Sequence, residues 1–242
     1  VSGPLLVAHR GGAAEAPENT VAAFRRALGL GIRWFELDVQ LSRDGVPVVI
    51  HDTTVDRTTD GSGAVGSLLY EELRRLDAGA WFGPEYRGER IPTLREMLDL
   101  CAEEGAGVAV ELKSPHLYPG IEQKVAALLA EMWVHGAPEI ICISFDASSI
   151  VRLRAIDPGV PLGQLYTSDT PDFAQPNDTV QAVLPPFSLA ARHPEQVARA
   201  HALGKRVFVW TVNDPDDMRR MAALDVDAIV SDRPSLLLET LS

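Results

Sequence analysis

Cysteine is nearly absent from this chain: Cys101 and Cys142 stand alone, in no CxxC pair. That excludes a disulfide framework, and two isolated thiols read as buried side chains suited to a reducing cytoplasm. Long apolar runs are also missing. None approaches the roughly 18 residues a membrane helix requires, and the stretch 125–130 breaks at Glu131. Basic residues are outnumbered, 22 Lys and Arg against 34 Asp and Glu, for a net charge of −12. Such a surface excludes a general affinity for nucleic acid or anionic membrane. No charged, apolar and small-residue export signal opens the chain, so a cytoplasmic location is expected. Secretion stays open, because residue 1 is Val rather than Met. Internal repeats and low-complexity tracts are lacking as well.

What remains is an ordinary globular composition, 46% hydrophobic and 23% charged over 242 residues, enough for one large α/β domain spanning 1–242. Short β-branched runs at 5–9, 34–40, 46–51, 107–113, 139–145, 160–166, 180–185, 206–212 and 227–231 read as strands. Helical stretches at 19–30, 93–104, 120–134, 147–156, 193–203, 214–223 and 234–241 lie between most of them, the pattern of a parallel sheet. Nine strands are one too many for a closed (β/α)8 barrel. Asp44-Gly45 resolves this: Asp-Gly between apolar strands signals a hairpin, so 46–51 returns antiparallel to 34–40 and sets Asp38 roughly opposite His51. The expected architecture is a (β/α)8 TIM barrel with a β-hairpin after strand 2. Residues 52–92, rich in Gly, Asp, Thr and Arg with an amphipathic stretch at 69–76, read as a small inserted subdomain over the strand ends. Thr93 with Glu96 has the form of a capping box, Asn19 or Thr20 can cap the first helix, and Asn213 or Asp214 can cap a later one.

Four of the apolar runs end in charge. Segments 5–10, 34–38, 46–52 and 108–113 deliver His9 and Arg10, Glu36 and Asp38, His51, and Glu111 and Lys113. An ion in an apolar strand is costly unless it is paired or holds a metal. Strand period puts Glu36 and Asp38 on one face and Glu111 and Lys113 on one face, and inward residues at the C-terminal strand ends of a barrel share one mouth. Glu36, Asp38 and Glu111 then form a hard-oxygen site for one divalent cation, Mg²⁺ or Ca²⁺. The competing reading is a buried ion network with Arg10 and Lys113. His9 and His51 suit a general acid and base, and Arg10 and Lys113 suit phosphate oxygens. Glu18 and Asn19 are candidates to brace this group, with helix capping the first expectation for Asn19. Phe145, Phe187 and Trp210 are candidates for a substrate pocket wall, against plain barrel core. His116, His135, His193 and His201 lack such a setting and read as surface or loop residues.

At these residues the sequence resembles the glycerophosphodiester phosphodiesterase family. The matching text is His9-Arg10-Gly11, Pro17-Glu18-Asn19-Thr20, the run from Glu36 through Leu41, that from Asp44 through Asp52, Ile91-Pro92-Thr93-Leu94 and Glu111-Leu112-Lys113. Trp210-Thr211-Val212-Asn213 and Ser231-Asp232-Arg233-Pro234 extend it, while 114–205 matches weakly. The resemblance implies a barrel with a small insertion, a divalent cation on Glu36, Asp38 and Glu111, His9 and His51 as acid and base, and Arg10 and Lys113 on the phosphate. It also implies small-molecule substrates such as glycerophosphocholine or glycerophosphoethanolamine, cleaved to an alcohol and glycerol 3-phosphate. Two rivals are a lysophospholipase D-type lipid phosphodiesterase, for which Trp81, Phe82 and Tyr86 would line an apolar channel, and a non-catalytic barrel that binds phosphorylated polyols.

Overall fold

The structure is a computed structural model that describes residues 3–133, 139–175 and 177–241. Position 134, the expected end of one helix, and His135 lie outside the described residues. In chain order the elements are β1 (Leu5–His9), α1 (Val21–Leu30), β2 (Trp34–Leu41), β3 (Pro47–Val49), α2 (Tyr70–Leu73), α3 (Leu94–Glu103), β4 (Gly107–Leu112), α4 (Ile121–Trp133) and β5 (Ile140–Ser144). There follow α5 (Ala147–Ile156), β6 (Leu162–Leu165), β7 (Ala182–Leu184), α6 (Phe187–Arg192), α7 (Pro194–Ala202), β8 (Arg206–Val209), α8 (Pro215–Ala223), β9 (Ala228–Ser231) and α9 (Pro234–Leu241).

Among the described residues, eight parallel strands close into a ring in the order β1, β2, β4, β5, β6, β7, β8, β9, sealed by the β1–β2 pairing. This is the (β/α)8 barrel expected from the alternating pattern. The ninth strand, β3, lies outside the ring and runs antiparallel to β2. It takes the edge of β2 that β1 leaves vacant: β1 pairs residues 34–36 and β3 pairs residues 39–41. The register sets Val39 against Val49, and the Ile50 amide donates to the Asp38 carbonyl at 2.9 Å. His51 therefore sits one step past the partner of Asp38 rather than opposite it.

Strand alternation builds two cores. Phe35, Leu37, Val39, Val108, Val110 and Leu112 face outward and pack against helical residues such as Phe24, Leu94, Leu98 and Val125. Val7, Trp34, Ala109, Ile141, Leu165, Leu184, Phe208 and Val230 point inward and fill the barrel. The inner ring has room for the Trp34 indole only because β4 begins with glycine: a Cβ on Gly107 would stand 2.4 Å from that ring. Trp34 then meets Phe208 edge-on with centroids 6.3 Å apart, a favoured aromatic geometry.

Side-chain caps close the helix ends. Thr20, not Asn19, caps α1 by accepting from the Ala23 amide, and Gly31 ends that helix in the left-handed region. The Thr93–Glu96 box caps α3 reciprocally, and Asp214, not Asn213, caps α8. In the segment after β3, Val55, Val65, Leu73, Ala78 and Ile91 form a small core of their own with Val48 and Ile50. Its helix covers only Tyr70–Leu73 of the amphipathic stretch. Helix α6 was not expected: six residues after Pro185-Pro186 are too few to express a helical period. No helix among the described residues is long and apolar enough to cross a membrane.

Candidate active site

The C-terminal ends of β1, β2 and β4 meet at one mouth of the barrel. Glu36 and Asp38 project from β2, and the β2–β4 register places Glu111 directly beside Asp38. All three carboxylates are buried. One oxygen from each lies within 4.8 Å of the others, so the group has the composition of a metal-binding cluster. Lys113 Nζ approaches Glu111 Oε1 at 2.8 Å and Asp38 Oδ1 at 3.6 Å. Arg10 Nε approaches Asp38 Oδ2 at 3.2 Å as an ion pair, without hydrogen-bond alignment. The Arg10 amide donates to Glu36 Oε2 at 3.1 Å.

Asn19 has a different task from the one first expected of it. With Thr20 as the cap, Asn19 Nδ2 donates to Asp38 Oδ2 at 2.8 Å, and the Asp38 amide returns a 3.4 Å bond to Asn19 Oδ1. Arg10, Asn19 and Ser114 all adopt left-handed backbone. Such strain in non-glycine residues collects where surrounding structure imposes it, commonly at functional sites. Gly11 follows Arg10 with φ +84°, and a Cβ there would lie 2.7 Å from Ala23. That glycine lets the turn carrying Arg10 rest directly on α1.

Three carboxylates this close cannot all ionise against two cations without cost. Burial, then Asp38 and Glu111, drives the Glu36 carboxyl well above its ordinary range. Burial, reinforced by Asp38, pushes Glu111 up to about 7. Burial opposes ionisation of Asp38 too, but Arg10 and Lys113 outweigh it and hold that carboxyl low. Asp38 Oδ1 is buried with no hydrogen-bond partner.

Two imidazoles flank the trio, each gripped by a carboxylate at Nδ1. His9 Nδ1 lies 2.6 Å from Asp232 Oδ1, and His51 Nδ1 lies 2.7 Å from Asp52 Oδ1. A carboxylate only accepts, so Nδ1 carries the proton in both rings and Nε2 is left for chemistry. His9 Nε2 is 3.7 Å from Glu36 Oε2. Burial lowers the His51 pKa, with Asp38 pulling the other way. The chain around His51 is fixed from β2: Gln40 Nε2 donates to the carbonyls of Ile50, His51 and Asp52 at 3.0, 2.8 and 2.7 Å. Tyr118 Oη in turn donates to Gln40 Oε1.

These groups line one side of a cavity of about 240 Å³. His9, Arg10, Glu36, His51, Glu111 and Lys113 form the charged side; Ile143, Phe145, Leu165, Leu184, Trp210 and Val230 form an apolar side. Asp38 lies beneath, and Glu18 holds Arg10 Nη1 at 3.0 Å. Phe145 and Trp210 meet edge-on within the wall, 5.6 Å between centroids. Phe187 is not part of it; it opens α6 and packs against the outer helix core. Trp81, Phe82 and Tyr86 meet one another edge-on instead of lining the cavity. His116, His193 and His201 also stand outside it. Asp232 was missed as a site residue, although its signal was present: Ala228 and Val230 face inward, so 232 continues that face past the strand end. Arg57, which binds both Asp52 and Glu18, left no periodic signal because it lies in an irregular segment.

The chain has recognisable relatives in sequence and in structure. A sequence model of the glycerophosphoryl diester phosphodiesterase family matches residues 9–236. A glycerophosphodiester phosphodiesterase of Caldanaerobacter subterraneus is 41% identical over 236 residues, covering 97% of this chain and 96% of the relative. The crystal structure of a glycerophosphodiester phosphodiesterase from Agrobacterium tumefaciens superposes with a TM-score of 0.84 at 34% identity, covering 98% of this chain and 99% of the other. A phosphodiesterase from Oleispira antarctica, solved with the product sn-glycerol-3-phosphate, superposes with a TM-score of 0.85 at 32% identity, covering 98% and 96%.

Proposed function

Because the chain belongs to the glycerophosphoryl diester phosphodiesterase family and is a phosphodiesterase of that class, we propose that it hydrolyses small glycerophosphodiesters by metal-assisted acid–base catalysis. Glycerophosphocholine or glycerophosphoethanolamine would yield the free alcohol and glycerol 3-phosphate. The product bound to the Oleispira antarctica neighbour supports glycerol 3-phosphate as the retained half. The observation that carries the proposal is the convergence of three carboxylates, two cations and two carboxylate-gripped imidazoles on one cavity.

Glu36, Asp38 and Glu111 would hold one divalent cation, Mg²⁺ or Ca²⁺, through oxygen donors suited to hard ions. The fit rests on the buried Asp38 Oδ1, which has no hydrogen-bond partner, and on two neighbouring carboxyls that ionise reluctantly in the protein alone. When bound, the cation supplies Lewis-acid stabilisation of charge at the phosphate. Arg10 binds a non-bridging phosphate oxygen with its planar fork, and Lys113 adds a point charge. One imidazole Nε2 takes the proton of the attacking oxygen, a glycerol hydroxyl or a water. The other, entering as imidazolium, gives its Nε2 proton to the alcohol oxygen as the bond from that oxygen to phosphorus breaks; where the glycerol hydroxyl is the nucleophile, water then opens the cyclic phosphate to glycerol 3-phosphate with the two rings in reversed roles. Asp232 and Asp52 hold the Nδ1 proton of each ring throughout, so each ring gains and loses its second proton at Nε2. Charge growing on the phosphate oxygens meets cations already in place, where electrostatic stabilisation is most effective. The apolar wall of Phe145, Trp210 and Leu184 faces the carbon skeleton of the substrate.

The Trp81 cluster lies away from the cavity wall, which favours small diesters over lysophospholipids. Cytoplasmic action belongs to the same proposal and rests on two buried, unpaired thiols. A panel of diesters assayed in parallel with EDTA, Mg²⁺ and Ca²⁺ tests it. Turnover should vanish with EDTA and in Glu36→Ala and Asp38→Ala; wild-type rates in either variant would refute the site.

A further inference from the structure

We infer that Arg57 is a positioning residue that locks the general acid–base His51 and the phosphate-binding Arg10 into one geometry. The inference rests on the roles proposed above for those two residues. Arg57 lies in the segment between β3 and α3, and none of its atoms lines the cavity. Its guanidinium nevertheless grips two carboxylates at once. Nε donates to Asp52 Oδ2 at 2.7 Å and Nη2 to Asp52 Oδ1 at 3.1 Å. Nη1 donates to Glu18 Oε2 and Nη2 to Glu18 Oε1, both at 2.8 Å.

Each carboxylate passes the constraint inward. Asp52 Oδ1 also holds His51 Nδ1 at 2.7 Å, and Glu18 Oε1 also holds Arg10 Nη1 at 3.0 Å. A chain of alternating charge thus runs Arg10, Glu18, Arg57, Asp52, His51, with the planar fork of Arg57 at its centre. The rest of the chain anchors this fork. Val55, Thr58 and Thr59 on either side are buried, and Thr59 Oγ1 donates to the Val55 carbonyl at 2.7 Å.

The exposure pattern separates positioning from stability. The Arg57 side chain is 45% exposed, whereas Glu18, which it holds, is 8% exposed. Without Arg57 each carboxylate keeps its inner partner, Glu18 on Arg10 and Asp52 on His51, so no buried charge is left unpaired. The four bonds of Arg57 to the partners of two reacting groups then act mainly on their placement. Only arginine can do this here, because two carboxylates must be bridged by one rigid plane and lysine offers a single point of charge.

The test is steady-state kinetics of the metal-loaded enzyme on glycerophosphocholine, with Arg57→Ala, Arg57→Lys, His51→Ala and Arg10→Ala compared and active sites counted by folded protein. A misplacement near 1 Å costs about 100-fold in rate, so Arg57→Ala should lose roughly 10- to 100-fold in kcat with a thermal midpoint close to wild type. KM should rise as Arg10 loosens. Guanidinium ion in the assay should restore part of the Arg57→Ala rate, methylammonium should not, and Arg57→Lys should stay impaired. Arg57→Lys carries the same comparison if the alanine variant does not fold. Wild-type kcat in Arg57→Ala, full activity in Arg57→Lys, or equal rescue by methylammonium would overturn the inference. If His51→Ala and Arg10→Ala are inactive while Arg57→Ala is normal, only the inference fails. If those two variants themselves turn over normally, the proposed site fails first.

Discussion

Replacing Glu111 by Gln should stabilise the metal-free protein and weaken its response to divalent cations. Glu111 is buried beside Asp38, and its carboxyl is raised from an ordinary 4.5 to about 7. Gln has the shape of the protonated acid and cannot ionise. In the folded protein the Glu111 proton is retained up to about pH 7, whereas the unfolded chain releases it near 4.5. Stability is therefore lost as pH rises through that window, and the full penalty is present above it. At about 1.4 kcal/mol per pH unit the penalty is about 3 kcal/mol, so the variant should melt roughly 6–12 °C higher than wild type at pH 8 in EDTA. Near pH 4.5 the two should melt together. Excess Mg²⁺ or Ca²⁺ should reverse or narrow the difference at pH 8, since ligand at 100 times Kd adds about 2.7 kcal/mol to a protein with a complete site. Differential scanning calorimetry at both pH values, with and without cation, reads all four cases. A variant that melts below wild type at pH 8 in EDTA, or that gains as much from the cation, would refute the account of the carboxylate trio.

Two further outcomes follow from the geometry. Gly107→Ala places a methyl 2.4 Å from the Trp34 indole, an overpacking expected to cost about 1–3 kcal/mol, seen as a lower urea midpoint at unchanged m. Asp232→Asn leaves His9 without the anion that sets its tautomer; if acid–base catalysis runs through that ring, activity should fall roughly 100-fold or more with unchanged cation binding by calorimetry, and a normal rate would remove His9 from the mechanism.

Much of the site was legible because it rests on strand parity. Glu36 and Asp38 sit on β2, Glu111 on β4 and Lys113 one residue past its end, where a period of two leaves each side chain one choice of face. Asp44-Gly45 disclosed the extra strand, though not its register: the pairing places Ile50, not His51, against Asp38. Parity also extended to Asp232, but its partner depended on β9 closing the ring beside β1. Asn19 misled because Asn next to Thr at a helix start offers two caps of similar strength, and only the nearness of Asp38 distinguishes them. Phe187 misled because a residue past a short strand has no fixed parity once the chain enters a helix.

The sequence by itself determined the barrel, the hairpin and which charged residues end the strands, because local period, turn chemistry and caps act over a few residues. Tertiary structure alone decided that Asp232 grips His9, that Arg57 joins Asp52 to Glu18, and that the Trp81 cluster stays off the cavity wall. Those contacts join residues up to 223 positions apart, and no local preference records them; closure of the ring and seating of the β3–α3 segment bring them within bonding distance.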